Sequence, residues 1–357
     1  MTLAVNIAQS GSNNVTFRNR IINGAMVINQ RNTAVSTSDT YTVDRWQFVK
    51  TNGATESAAQ NTDAPAGFTY SLRNTISVGD GSITTTEFSG FKQPIEGYNV
   101  ADLGFGTSNA QNVTVSFWVR SSVTGQYTGN ISNSNYTRMC PFNFTINTAN
   151  TWELKTNTFP GDTTGTWNTT TGIGINLQIY SALGPSYTTG TANTWGSSGS
   201  NFGCGSPVNG IASNGNIFAI AGVQLEAGTT ASPFEYRQYG TELALCQRYC
   251  YKIATSGGYS TYATTGMFIS TTRVDFPILF PTYMRASPTG TYTAANTYLP
   301  SSAGTDFTPS AVASVSGSAC PQAITVTFTV SGATAGRAAT LTDLSSTASN
   351  MIFSAEL

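Results

Sequence analysis

Apolar and polar residues alternate with a period of two along much of this chain. In Val113-Thr-Val-Ser-Phe-Trp-Val119, the residues Val113, Val115, Phe117 and Val119 fall on one face and Thr114, Ser116 and Trp118 on the other. That is the period of a half-buried strand. Ile173, Ile175, Leu177 and Ile179 repeat the pattern against Gly174, Asn176 and Gln178, and Ile324, Val326, Phe328 and Val330 repeat it with threonines between. Val274, Phe276, Ile278 and Phe280 do the same around Pro277. Proline has no N–H to give to a ladder, so this run is expected at a sheet edge. Turn-forming stretches such as Val78-Gly-Asp-Gly-Ser82 and residues 197–203 separate the runs, which is the punctuation of a sandwich or jelly roll.

Helical spacing is confined to Glu242-Leu-Ala-Leu-Cys-Gln-Arg-Tyr-Cys-Tyr251, where Leu243, Cys246 and Cys250 share a stripe. The preceding apolar run, Ile217 to Leu225, reads as the last strand of a first sandwich, and Pro233 marks its exit. The expected fold class is all-β: two β-sandwich, jelly-roll-like domains joined by a short helical segment. Residues 1–16 form an N-terminal attachment segment, 17–240 a jelly-roll β-sandwich, 241–252 a short helix or linker, and 253–357 a smaller C-terminal β-sandwich. No internal repeat of solenoid period is found.

Composition narrows the function. Of 357 residues only 9% are charged and the net charge is −1, with no long run of Lys or Arg, so neither nucleic acid nor an acidic membrane surface is an expected partner. The N-terminus has no cationic region ahead of its short apolar start, so no secretory signal is expected, and no stretch approaches the roughly 20 apolar residues of a membrane span. The five cysteines lack a C-x-x-C pair and read as reduced, mostly buried thiols.

The chain has no histidine, which removes Ser-His-Asp and Cys-His arrangements and the commonest transition-metal ligand. No phosphate-cradling glycine motif occurs, so no cofactor is expected. A two-carboxylate glycosidase remains open on paper through Glu87, Glu96, Glu153 and Asp102, but scattered carboxylates are far commoner than catalytic pairs, and the expectation is a non-enzyme. Asp80, between Gly79 and Gly81, is a candidate calcium ligand, but a lone Gly-Asp-Gly is more often a hairpin turn. Trp167, Trp195, Tyr187, Tyr259 and Tyr262 lie in Gly/Ser/Thr-rich stretches, where aromatic rings either stack on sugars or clamp loops to the sandwich.

Several blocks in one order carry a resemblance. They are Asn19-Arg-Ile-Ile-Asn-Gly-Ala-Met-Val-Ile-Asn-Gln-Arg31 with Tyr41-Thr-Val-Asp-Arg-Trp46, then Val113 to Ser121, Asn150-Thr-Trp-Glu153 with Phe159 to Trp167, Gly222-Val-Gln-Leu-Glu-Ala-Gly228, Ser232 to Arg237 and Gly240 to Tyr249. Over roughly residues 17 to 252 the chain resembles a sandwich domain of bacteriophage tail-fibre-like structural proteins, similar to jelly-roll carbohydrate-binding modules. In such proteins a second β domain follows, of which Phe280-Pro-Thr-Tyr-Met-Arg-Ala-Ser-Pro288 looks like the middle strand and turn and Phe353 to Leu357 the end.

The resemblance implies a virion protein assembled in the host cytoplasm, with other virion proteins and host cell-surface glycan as partners. A homotrimer is expected from it, and from the difficulty of keeping many neutral sheet edges soluble in one copy. The leading reading is a compact tail fibre or adhesin; the alternative is a head decoration, neck or tail connector protein that binds only other virion proteins. Glycan recognition is placed in the C-terminal domain, whose loops are longer. There Tyr259 and Tyr262, beside Gly257 and Gly258, are candidate sugar-stacking rings, and Asn296 and Tyr298 candidate polar partners; the competing role for the tyrosines is packing between subunits.

Overall fold

The run Val113–Ser121 becomes one strand whose odd-numbered residues Val113, Val115, Phe117 and Val119 are fully buried, as the alternation requires. In the computed structural model the described residues are 17–197, 199, 201–256, 259–314, 319–344 and 348–357. The expected attachment segment 1–16 and the glycines Gly257 and Gly258 lie outside them. The chain divides into two units, Met1–Gln238 with Leu357, and Tyr239–Glu356.

The first unit holds β1 (Thr40–Tyr41), β2 (Gln47–Lys50), β3 (Thr55–Asn61), β4 (Ser71–Val78), β5 (Phe88–Glu96), β6 (Val113–Ser121), β7 (Gly125–Ser132), β8 (Met139–Ile146), β9 (Glu153–Phe159), β10 (Ile173–Leu183) and β11 (Ile217–Ala227). They form a six-stranded sheet, β1-β2-β5-β10-β7-β8, and a five-stranded sheet, β3-β4-β11-β6-β9. Their inner faces meet through ring contacts such as Phe91 with Phe218 at 6.3 Å and Phe117 with Phe142 at 6.2 Å. The pairings between these strands are antiparallel, as in other β-sandwiches.

The N-terminal block is built into this sandwich. Arg20 N donates to Leu225 O at 2.8 Å and Val223 N to Gly24 O at 3.0 Å, so residues 20–24 run along β11. A Cβ on Gly24 would sit 2.1 Å from Val223 O, which restricts that position to glycine. Asn23 takes the left-handed conformation (φ 60°), and its amide donates to Ile28 O at 2.8 Å and Asp44 O at 2.9 Å. Buried Asp44 accepts from Gln30 N at 2.6 Å and Gln30 Nε2 at 2.9 Å, and Trp46 Nε1 donates to Asn23 O at 3.2 Å. The residues that carry the resemblance are therefore mutual hydrogen-bond partners.

The second unit opens with helix α1 (Tyr239–Gln247) and continues with β12 (Cys250–Ala254), β13 (Thr261–Ser270), β14 (Arg273–Leu279), β15 (Thr289–Tyr292), β16 (Tyr298–Ser302), β17 (Thr305–Asp306), β18 (Ala311–Ser314), β19 (Ala323–Thr329), β20 (Ala338–Asp343) and β21 (Asn350–Ser354). A three-stranded sheet, β12-β21-β15, packs on a seven-stranded one, β17-β16-β20-β13-β14-β19-β18, around Phe276, Phe328, Met351 and Phe353.

Three expectations are corrected here. Residues 250–252 are not linker: they pair with β21, Cys250 opposite Ser354 and Lys252 opposite Ile352. Residues 280–288 contain no strand, since β14 ends at Leu279 and β15 begins at Thr289. Pro277 lies on an interior strand rather than an edge. The β13–β14 ladder runs only as far as Met267 opposite Asp275, so at Pro277 no N–H is required toward β13, while its other side faces Thr325 of β19.

The alternation in β10 is also only half the picture. Asn176, Gln178 and Tyr180, on the face away from the core, are as buried as Ile175, Leu177 and Ile179.

Candidate binding face on the six-stranded sheet

Strand parity and register assemble this face. Asn176, Gln178 and Tyr180 of β10 point away from the core, opposite Ser132, Asn130 and Thr128 of β7. On the other flank Gln178 lies opposite Lys92 of β5, and Lys92 opposite Gln47 of β2. Gln47, Lys92, Gln178 and Asn130 thus form one row across four neighbouring strands, about 14 Å long at the usual interstrand spacing. Asn176 and Ser132 form part of the adjacent row.

Some of these groups are held by the protein. Asn130 Nδ2 donates to Phe202 O at 2.8 Å, Asn176 Nδ2 to Asn133 O at 3.1 Å, and Thr128 Oγ1 to Phe142 O at 2.8 Å. Others are buried with no hydrogen-bond partner among the described residues: Gln47 Oε1, Gln178 Oε1, Asn130 Oδ1, Asn176 Oδ1 and Ser132 Oγ. A buried polar atom left in that condition costs about 1–3 kcal/mol, so natural folds give such atoms to water or to a ligand. Here they are gathered on one face, and four of them are amide oxygens that accept O–H donors.

Aromatic rings border the face. Tyr136 (φ 58°) packs on Phe202 at 5.4 Å, Phe202 on Tyr187 at 5.0 Å, and Phe88 lies 6.2 Å from both Tyr180 and Tyr187. Burial raises the Tyr136 hydroxyl above its ordinary pKa, and the nearby Asp39 carboxylate adds to the rise. Burial also lowers the Lys92 ammonium, an effect that Asp39 opposes.

The residues expected to bind sugar in the second unit are not assembled for it. Tyr262 (2% exposed) and Tyr298 (fully buried) are core side chains, their rings 5.9 Å apart. Tyr262 shares a hydrogen bond with Ser349 Oγ at 2.6 Å, and Tyr298 donates to Asn350 O at 2.6 Å. The reason is positional: Tyr262 is an inward residue of β13 and Tyr298 opens β16, so neither is in a loop. Tyr259 and Asn296 are exposed, and among the described residues no hydrogen bond or ring contact links them.

Asp80 acts as a turn residue. Its carboxylate accepts from Gly53 N at 3.0 Å and Ser82 N at 3.1 Å, and among the described residues no three His, Cys, Asp or Glu side chains gather into a metal site. Trp167 and Trp195 clamp loops, both edge-on to Phe105 at 4.8 and 5.8 Å, with their indole N–H groups on Thr164 O and Pro160 O. A second concavity, of about 420 Å³, lies in the second unit where β13 and β14 separate; Tyr251, Ile253, Tyr262, Thr264, Pro277 and Leu279 line it.

Sequence reasoning missed this candidate face. Its signal was present in the long amides Asn176 and Gln178 at alternate positions of a strand, but their neighbours Lys92, Asn130 and Gln47 are distant in sequence.

No protein-family model matches the chain, and no curated protein matches it in sequence. Among solved structures, it is similar to the enzymatically active domain of tailspike protein 4 of bacteriophage CBA120 at 12% identity, TM-score 0.32, covering 60% of this chain and 22% of that one. A putative sugar binding protein from Bacteroides thetaiotaomicron aligns at 12% identity and TM-score 0.34 over 59% of this chain and all (100%) of the other. The C-terminal family 22 carbohydrate binding module of Clostridium thermocellum Xyn10B aligns at 8% identity and TM-score 0.30 over 53% and 89%. The all-β assignment rests on the sheets and registers themselves.

Proposed function

We propose that this chain is a non-enzymatic structural protein of a phage particle that holds host-surface glycan on the outer face of its six-stranded sheet. The observation that carries the glycan reading is the gathering of buried, unpartnered acceptors on Gln47, Gln178, Asn130, Asn176 and Ser132 beside aromatic rings. Sugar rings supply both counterparts, hydroxyl donors at their edges and apolar C–H faces. The phage assignment draws on the ordered sequence blocks, whose residues interlock in the first unit. Glycan recognition thereby moves from the second unit to the first.

The non-enzymatic reading is supported by the lack of histidine and by the separate engagements of the candidate acids. Asp102 is clamped by Arg20 at 3.0 and 2.6 Å, Glu87 accepts from Thr84 N at 2.7 Å, and Glu153 from Asn147 N at 2.9 Å and Thr148 N at 2.8 Å. Glu96 is buried.

The test is binding to a glycan array, with Gln178→Leu, which keeps bulk and removes the amide. Binding should weaken about tenfold or more, the equivalent of about 1.4 kcal/mol, while Tyr259→Ala and Asn296→Ala leave it unchanged. The reverse pattern returns the site to the second unit. The connector reading has its own observation, the exposed apolar side chains Met267, Ile269 and Leu279 on β13 and β14, which suit a protein partner or a second copy. It takes the lead if no glycan binds. A homotrimer is expected in sedimentation, and a monodisperse monomer at micromolar concentration rules it out.

A further inference from the structure

We infer that the glycan held on this face is acidic, its carboxylate seated on Lys92 in the place that Asp39 now occupies. This rests on the reading of the face as a glycan site and names the class of sugar.

Lys92 stands in the middle of the polar row, between Gln47 and Gln178. Its side chain is 14% exposed, and its ion pair is to Asp39, Nζ to Oδ1 3.7 Å. Charge-assisted N–H···O bonds are about 2.7–2.9 Å long, so this pair is loose. A largely desolvated ammonium is destabilising unless it is well paired. Asp39 is a poor partner for a second reason: its side chain is 71% exposed, so most of its stabilisation comes from water that it need not leave.

Other carboxylates of the unit have closer engagements. Asp44 accepts from Gln30, and Asp162 is held by Arg138 through two bonds of 2.7 Å. The charged group that acts on Lys92 is Asp39; the hydroxyl of Tyr136, which lies near Asp39, and that of Tyr180 are raised further above their ordinary pKa by burial and bring no charge. A neutral sugar would satisfy the amide oxygens and leave the ammonium as it is. A sugar bearing a carboxylate satisfies both, with its hydroxyls donating to Gln47, Gln178 or Asn130 and its carboxylate accepting from Lys92, while Asp39 turns out to solvent.

The carboxylate could belong to a uronic acid or to a sialic-type sugar, and matched probes separate the two: trigalacturonate against galactotriose, and sialyllactose against lactose. Calorimetric titration of the full chain with each should show an acidic member binding more tightly than its neutral counterpart, with affinity falling as salt rises from about 20 to about 150 mM. Lys92→Gln should weaken the acidic ligand about tenfold and leave the melting temperature no lower, because it removes a poorly paired buried charge. Asp39→Asn, at an exposed position, should tighten binding. Neutral ligands binding as well as acidic ones, or acidic binding that ignores Lys92→Gln, overturns the inference and leaves the glycan reading intact. Failure of these probes and of every glycan on the array overturns both.

Discussion

Thr264 Oγ1 donates to the carbonyl of Pro277 across 2.6 Å, bridging β13 and β14 beyond the last rung of their ladder. Both residues line the cavity of about 420 Å³. Thr264→Val keeps the side chain's shape and removes the donor. It should cost about 1 kcal/mol, read as a lower midpoint in chemical denaturation, and an unchanged midpoint would show that the bond contributes nothing to stability.

Gly24 meets the carbonyl of Val223 where any other residue would place a Cβ. Gly24→Ala should destabilise the chain by about 1–3 kcal/mol, because the obstructing atom is backbone and cannot rotate away. Urea unfolding followed by tryptophan fluorescence checks this directly, since Trp46, Trp118, Trp152, Trp167 and Trp195 all lie in the first unit. An unchanged midpoint would mean that the N-terminal block does not hold this position along β11.

Burial pushes the Glu153 carboxyl up, but the Lys155 ammonium and the backbone N–H groups of Thr148 and Asn147 outweigh it and bring the pKa down to about 2. A carboxylate with a depressed folded-state pKa contributes stability that is present above its unfolded value, near 4.5, and is lost as pH falls toward 2. Wild type should therefore lose more stability than Glu153→Gln between these two values. Equal slopes in acid titrations of unfolding would remove Glu153 from the account.

The chain passes from one unit to the next at Gln238 and Tyr239. Before that point Ser232 is held by Glu226, Glu235 N by Gln224 Oε1, and Arg237 by the carbonyl of Ile21; after it helix α1 begins. Tyr239 is 63% exposed, so brief chymotrypsin digestion should cut there first and release two stable fragments. Early cuts inside β3–β11 or β13–β21 instead would show that the units do not protect themselves separately.

Much of the fold was legible in the residues alone. Alternation in Val113–Val119 and Ile173–Ile179 places strands with the right inner faces because a pleated backbone sends successive side chains to opposite sides, whatever surrounds it. The lack of histidine and the low charge likewise exclude chemistry without reference to shape. Pro277 shows where a local rule stops: an interior strand tolerates proline when the neighbouring ladder has already ended, and the end of a ladder is a property of two strands. Tyr262 reads as a loop residue because Gly257 and Gly258 precede it, and Tyr298 because small polar residues surround it, while the burial of a ring depends on which sheet closes over it. The outer face of β10 is the clearest case. Its polar residues are ordinary solvent-facing positions by sequence, and only the antiparallel registers with β5 and β7 bring Lys92, Gln178 and Asn130 into one row. Alternation is written in consecutive residues; register joins residues tens of positions apart, and the candidate face exists only through register.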